Sequence, residues 1–271
     1  MTTFNITSSD GKELFTVEWS VKEPKAVIAL VHGLGEHISR YDHLATFFNN
    51  NDIAVIGFDH RGHGQTAGRR GHSPGFEAMM NDVDALLETS KQKFTGIPVF
   101  LYGHSLGANL VLNHILRRKP DIKAAIASAP PIVLKNKPSA ILVGLGKLMK
   151  NIYPGFVQPN GLDPNHISRD PEEVAKYIND PLVHNKVSAI MGMDLLDGGK
   201  WLDAYQGELP LPLLVMHGED DQITWAKSSE KFAGKLGATF KKWEGLYHEI
   251  HNEPEQQQVF EYTLEWIQGQ L

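Results

Sequence analysis

This sequence predicts an α/β architecture: a mostly parallel sheet flanked by helices, with a helical insertion interrupting it. Three observations carry that prediction. Apolar runs of strand length recur at residues 26–31, 53–58, 98–102, 124–127 and 211–216, and unbroken runs of this kind suit strands buried on both faces. Stretches with helical spacing alternate with them, the rhythm of a parallel sheet. One run ends in the corner Gly103-His104-Ser105-Leu106-Gly107, and Ala108, Leu110, Val111, Leu112, Ile115 and Leu116 follow at helical spacing. A Gly-x-Ser-x-Gly corner between a strand and a helix thrusts a serine hydroxyl up out of the sheet.

Taken in order, residues 3–20 read as a hairpin, with Ser9-Asp10-Gly11 at its turn. The strand at 26–31 runs into His32-Gly33-Leu34-Gly35-Glu36-His37. The two glycines there let the backbone pass close to a ligand and aim amide hydrogens at it, although a plain glycine turn would look the same. A helix is expected from Tyr41 to Phe48, and the strand at 53–58 leads into Asp59-His60-Arg61-Gly62-His63-Gly64. That histidine pair invites a metal, but no third ligand lies at a recognisable spacing, so a hydrogen-bonded loop is the expectation. Residues 76–93 form an amphipathic helix through Phe76, Met79, Met80, Val83, Leu86 and Leu87.

After the strand at 124–127 and Pro130-Pro131 the rhythm breaks. Residues 132–206 hold no convincing buried strand, whereas Ile141, Leu142, Leu145, Leu148, Met149 and Ile152 recur at helical spacing. The expectation is a core of residues 1–131 and 207–271 with a helical cap at 132–206 over the carboxyl edge of the sheet, where open α/β sheets bind ligands. The apolar stripe of the cap would line a pocket, touch a membrane surface or pack on the core. The sheet resumes at 211–216, followed by His217-Gly218-Glu219-Asp220-Asp221. A last strand at 239–243 ends in Glu244-Gly245-Leu246-Tyr247-His248, and a helix at 255–268 closes the chain.

At 271 residues the chain is near the size where one core stops growing, which suits one large domain with an insertion. A formal net charge of −6 argues against nucleic acid as a partner, and the absence of cysteine excludes disulfides and thiolate catalysis. The first residues do not read as a signal peptide and no run is long enough to span a membrane, so a cytoplasmic protein is expected, with peripheral contact through the cap. No cofactor or metal is called for.

A serine hydroxyl needs a base, and the base needs an orienting carboxylate. On a sheet of this kind the acid and then the histidine follow the nucleophile in chain order. Asp221 or its neighbour Asp220 follows one strand, and His248 follows the next. His251 also lies beyond the last strand but is expected to begin the final helix, so His248 at the turn is the better base.

The stretches His32 to Tyr41, Asp59 to Gln65, Gly103 to Gly107, His217 to Asp221 and Glu244 to His248 together resemble the monoacylglycerol lipases and lysophospholipases of the α/β-hydrolase superfamily. The resemblance runs from about residue 25 to the C-terminus. It implies an α/β-hydrolase fold, a small lipid ester as substrate, and a triad of Ser105, Asp221 and His248. It further implies oxyanion donors at the amides of Leu34 and Leu106, a polar pocket for a glycerol head at Glu36, Arg40, His104 and His251, and a substrate-binding tyrosine of the cap at Tyr177. Leu106 and Ala108 stand where methionine and glycine are common in the family, and the cap is its least similar part, so acyl-chain preference is not implied. A lysophospholipase, a broad carboxylesterase and a catalytically silent binding fold are the alternatives. The intact serine, aspartate and histidine set speaks against the last.

Overall fold

Strand after strand, the apolar runs assemble into one sheet whose middle members are buried on both faces. The computed structural model describes residues 1–136 and 138–271. In chain order the elements are β1 (Thr2–Thr7), β2 (Glu13–Trp19), β3 (Ala26–Val31), α1 (Asp42–Asn49), β4 (Ile53–Phe58), α2 (Phe76–Lys93), β5 (Val99–His104), α3 (Leu106–Arg118) and β6 (Ala124–Ser128). The chain then leaves the sheet through α4 (Ala140–Ile152), β7 (Val157–Pro159), α5 (Pro171–Asn179), β8 (Lys186–Ser188) and α6 (Ala189–Ala204). It returns with β9 (Leu213–Gly218), α7 (Ala226–Leu236), β10 (Thr239–Trp243) and α8 (Gln256–Gln268).

The main sheet has the order β1-β2-β4-β3-β5-β6-β9-β10. β2 is antiparallel to both β1 and β4, and every later pairing is parallel. This is the mostly parallel α/β sheet the sequence predicts. Alternation along β3 divides the core in two. Val27, Ala29 and Val31 join the layer under α2 and α3, while Ile28 and Leu30 join the layer under α1 and α8.

The topology also sets where chemistry can happen. From β3 the chain steps to β4 on one side and later to β5 on the other, so the loops after β3 and β5 diverge across the carboxyl edge of the sheet. A crevice at such a switch point is where open α/β sheets take ligands.

Three features differ from the sequence reading. A two-stranded antiparallel ribbon, β7 with β8, sits within residues 132–206, because three-residue strands are too short to show a periodicity. Helix α7 went unread, since its buried face is made mostly of Ala226, Ser228, Ser229, Phe232 and Ala233, and small or polar residues give no apolar stripe. His251 does not begin the last helix. It lies in a short 3₁₀ turn, Ile250–Asn252, ahead of α8. Among the described residues no helix is long and apolar enough to cross a membrane.

Candidate active site

Ser105 stands at the corner between β5 and α3 with φ of +50° and ψ of −118°, a conformation costly for a residue with a side chain. Two glycines make room for it. A Cβ on Gly107 would meet the Val31 carbonyl oxygen at 2.0 Å, and one on Gly103 would meet the Gly107 carbonyl oxygen at 2.4 Å. The Ser105 amide donates to the Ser128 carbonyl at the end of β6, which ties the corner to the sheet.

Three residues spread over 143 positions of the chain converge. The Ser105 hydroxyl lies 2.9 Å from His248 Nε2, and His248 Nδ1 donates to Asp221 Oδ2 at 2.7 Å. Since the carboxylate only accepts, the proton of the neutral ring sits on Nδ1, leaving Nε2 free to take one from the serine. Asp221 is buried, whereas Asp220 is exposed and turns outward, so only the former reaches the imidazole.

Asp221 is also held by partners that the sequence did not announce. Its Oδ1 accepts the amides of Ile223 and Thr224, and its Oδ2 accepts the Thr224 hydroxyl at 2.6 Å and His217 Nε2 at 3.0 Å. Burial alone would raise its pKa. The adjacent His248, with the bonds from His217 and His248, overrides that and holds the carboxyl well below its ordinary range. For His248, burial disfavours the imidazolium, but the Asp221 carboxylate outweighs it and lifts the ring above the ordinary histidine value.

Leu34 and Ser105 lie on the wall of one cavity of about 350 Å³. Its lining is largely apolar and comes mostly from residues 131–196, including Leu142, Met149, Phe156 and Met193. The amides of Leu34 and Leu106 donate to no group among the described residues.

Glu36, Arg40, His104, Tyr177 and His251 are brought together as a polar cluster beside Ser105. None of them lies on the wall of the apolar cavity. Arg40 bridges Glu36 Oε2 at 2.7 Å and Glu249, whose two oxygens it grips at 2.9 and 2.6 Å, and its guanidinium lies over the Tyr177 ring. Glu249 was missed by sequence reasoning, and its only signal was its place directly after His248. Burial pushes Glu36 above the carboxylate range, while Arg40 holds Glu249 below it. The His104 ring stacks edge-on against His251, and both stay neutral because burial and neighbouring positive groups disfavour their charged forms, His251 down to about 3. His104 Nδ1 and both ring nitrogens of His251 are buried without a hydrogen-bond partner among the described residues.

Glu36, His104 and Glu249 stand close enough to ligate one metal ion, but the carboxylates already share Arg40, and a guanidinium in that place repels a cation. The His60 and His63 pair is taken up by backbone contacts: His60 Nε2 donates to the His32 carbonyl, and His63 Nδ1 to that of Arg61.

The profile of the family described as serine aminopeptidase, S33 (Hydrolase_4) matches residues 22–255. A monoacylglycerol lipase of Mycolicibacterium smegmatis is 33% identical over 253 residues, covering 92% of this chain and 90% of that one. An uncharacterized abhydrolase domain-containing protein of Dictyostelium discoideum is 37% identical over 98% of this chain, which spans only 29% of that protein's length. Among solved structures, the monoacylglycerol lipase of Paleococcus ferrophilus superposes with a TM-score of 0.88 at 33% identity, covering 96% of this chain and all of that one.

Proposed function

Because the chain belongs to the Hydrolase_4 family of serine hydrolases, we propose that it cleaves monoacylglycerols to glycerol and a free fatty acid through an acyl-enzyme. The observation that carries this reading is the unbroken relay from Asp221 through His248 to Ser105, opening on an apolar cavity. Its substrate class is supported by relatives named as monoacylglycerol lipases.

In this mechanism Ser105 Oγ attacks the ester carbonyl while His248 Nε2 takes its proton. The carbonyl oxygen, now an oxyanion, rests on the amides of Leu34 and Leu106, each contributing roughly 10²- to 10³-fold in rate. The His248 imidazolium returns the proton to the departing glycerol oxygen. Water activated by the same ring then attacks the acyl-enzyme carbonyl and releases the fatty acid. The acyl chain lies in the apolar cavity. The polar cluster of Glu36, Arg40, His104, Tyr177 and His251 faces the glycerol head, a role consistent with unpartnered nitrogens on its two histidines.

Residues 132–206 act as a cap between the core stretches 1–131 and 207–271. In support, α4 and α6 supply much of the cavity wall, and Asp180 receives His37 Nε2 of the core at 2.8 Å. The cap also makes the contact with lipid, through the exposed apolar side chains of α4.

The test is hydrolysis of monoacylglycerols of graded chain length beside diacylglycerol, lysophosphatidylcholine and p-nitrophenyl acetate. Monoacylglycerol should be preferred, and Ser105→Ala should lower kcat on the order of 10⁵- to 10⁶-fold. Preference for the lysophospholipid would make the enzyme a lysophospholipase. Ester turnover that survives in the alanine variant would remove Ser105 as the nucleophile.

A further inference from the structure

We infer that His32, braced by His60, is a positioning residue that aims the Leu34 amide at the oxyanion, an inference that rests on the serine-esterase reading above. The bond that carries it runs from His32 Nδ1 to the carbonyl oxygen of Gly33, at 2.8 Å. That carbonyl belongs to the same peptide unit as the Leu34 amide. In a trans peptide the C=O and N–H point in opposite directions within one plane, so a group that pins the oxygen also fixes the direction of the hydrogen. Among the described residues no peptide bond is cis.

The protonation of both rings follows from their partners. The Gly33 oxygen can only accept, so the His32 proton is on Nδ1. Its Nε2 is then an acceptor, and it receives the backbone amide of His60 at 3.0 Å. His60 in turn donates from Nε2 to the carbonyl of His32 at 2.9 Å. Backbone and ring thus exchange bonds reciprocally across the ends of β3 and β4. Both rings are buried, and burial keeps them neutral, His60 down to about 4 and His32 well below the ordinary value. A charged His32 would lose its acceptor and face the His60 N–H with a second donor.

Other contacts hold the loop without orienting this peptide. Glu36 Oε1 accepts the Gly33 amide at 2.6 Å, and the Gly35 carbonyl accepts the amide of His184 at 2.8 Å. Neither acts on the unit between Gly33 and Leu34. His32 alone does so among the described residues, and it stands off the cavity wall that Leu34 and Ser105 line. The loop after β4, with its paired histidines, therefore serves the loop after β3.

Two substitutions separate aiming from bracing. In His32→Asn the side-chain amide nitrogen takes the place of Nδ1 and can still donate to Gly33. In His32→Gln the amide reaches the place of Nε2 and can accept from His60, but no donor faces Gly33. We expect His32→Ala and His32→Gln to lower kcat by roughly 10- to 100-fold with KM within about threefold, and His32→Asn to stay within about fivefold of wild type. Val83→Ala, a buried change in α2 away from the site, measures what general destabilisation does to kcat. The inference is overturned if glutamine restores kcat and asparagine does not, if alanine stays within twofold of wild type, or if Val83→Ala loses as much kcat at an equal loss of Tm. Should the alanine and glutamine variants fail to fold, ¹⁵N NMR of the wild-type imidazoles decides. A proton on Nδ1 of His32 is expected, and one on Nε2 would overturn the inference. Wild-type protein without serine-dependent ester hydrolysis would sink the esterase reading instead, and the tautomer would still report the bond to Gly33.

Discussion

Ser105 and Asp221 differ in what their surroundings ask of them. The serine takes a strained backbone conformation for which two glycines make room, whereas the aspartate is defined by five donors converging on two oxygens. That second arrangement has a consequence for pH. A base must be neutral to act, and the Asp221 carboxylate raises the pKa of His248 against the effect of burial. The acid limb of kcat/KM should therefore have its midpoint above the ordinary histidine value of about 6.5, with activity rising as pH rises through it. Asp221→Asn removes the charge that favours the imidazolium. It should shift that limb to lower pH while kcat falls by about 10⁴-fold. A pH profile of the variant that keeps the wild-type midpoint would refute the assignment of Asp221 as the partner of His248.

Helix α4 shows how one element can serve two surroundings. It has no buried residue, and its attachment to α6 includes an ion pair of Lys150 with the buried Asp194 at 2.6 Å. Leu142, Leu145 and Met149 border the cavity, while Ile141, Leu148 and Ile152 are 85%, 53% and 70% exposed on a helix with few charges. So large an apolar face on one short helix marks a surface that meets something apolar. If that is lipid, wild-type protein should float with phospholipid vesicles, and Ile141→Ser with Leu148→Ser should lower the partition coefficient by about tenfold or more. Neither residue borders the cavity, so hydrolysis of a water-soluble ester should be unchanged. Wild-type protein that stays in solution in the flotation assay would remove the membrane contact.

At the scale of the whole molecule, the buried histidines make the fold sensitive to acid. His60 and His251 bind protons only near pH 4 and 3 when folded, because burial opposes their charge, but near pH 6.5 when unfolded. The unfolded chain therefore takes up more protons below pH 6.5. Stability is full above that pH and falls as pH drops, by about 2 kcal/mol per histidine at pH 5. Calorimetry at pH 7, 6 and 5 should show Tm falling on the order of 10 °C across that range. A flat Tm would mean that these rings are hydrated or paired in the folded protein.

The sequence by itself determined the sheet, the serine corner and the order of serine, acid and histidine. Apolar runs flanked by glycine-rich turns have few ways to bury themselves, and the elements they form depend on neighbours a few residues away. Thus 53–58 and 76–93 read as a buried strand and an amphipathic helix, and they are β4 and α2. Asp221 could not be told from Asp220 by its residue type, since both are aspartates after the same strand. Only the turn of the chain buried one and exposed the other. The same holds for His217, Thr224, Glu249 and the bond from His32 to Gly33. Each depends on which atoms face one another across loops far apart in the chain, and periodicity carries no record of that. The pairing of Arg40 with Glu249 was assembled by tertiary structure for the same reason: the two lie 209 positions apart, and burial makes each charge depend on the other.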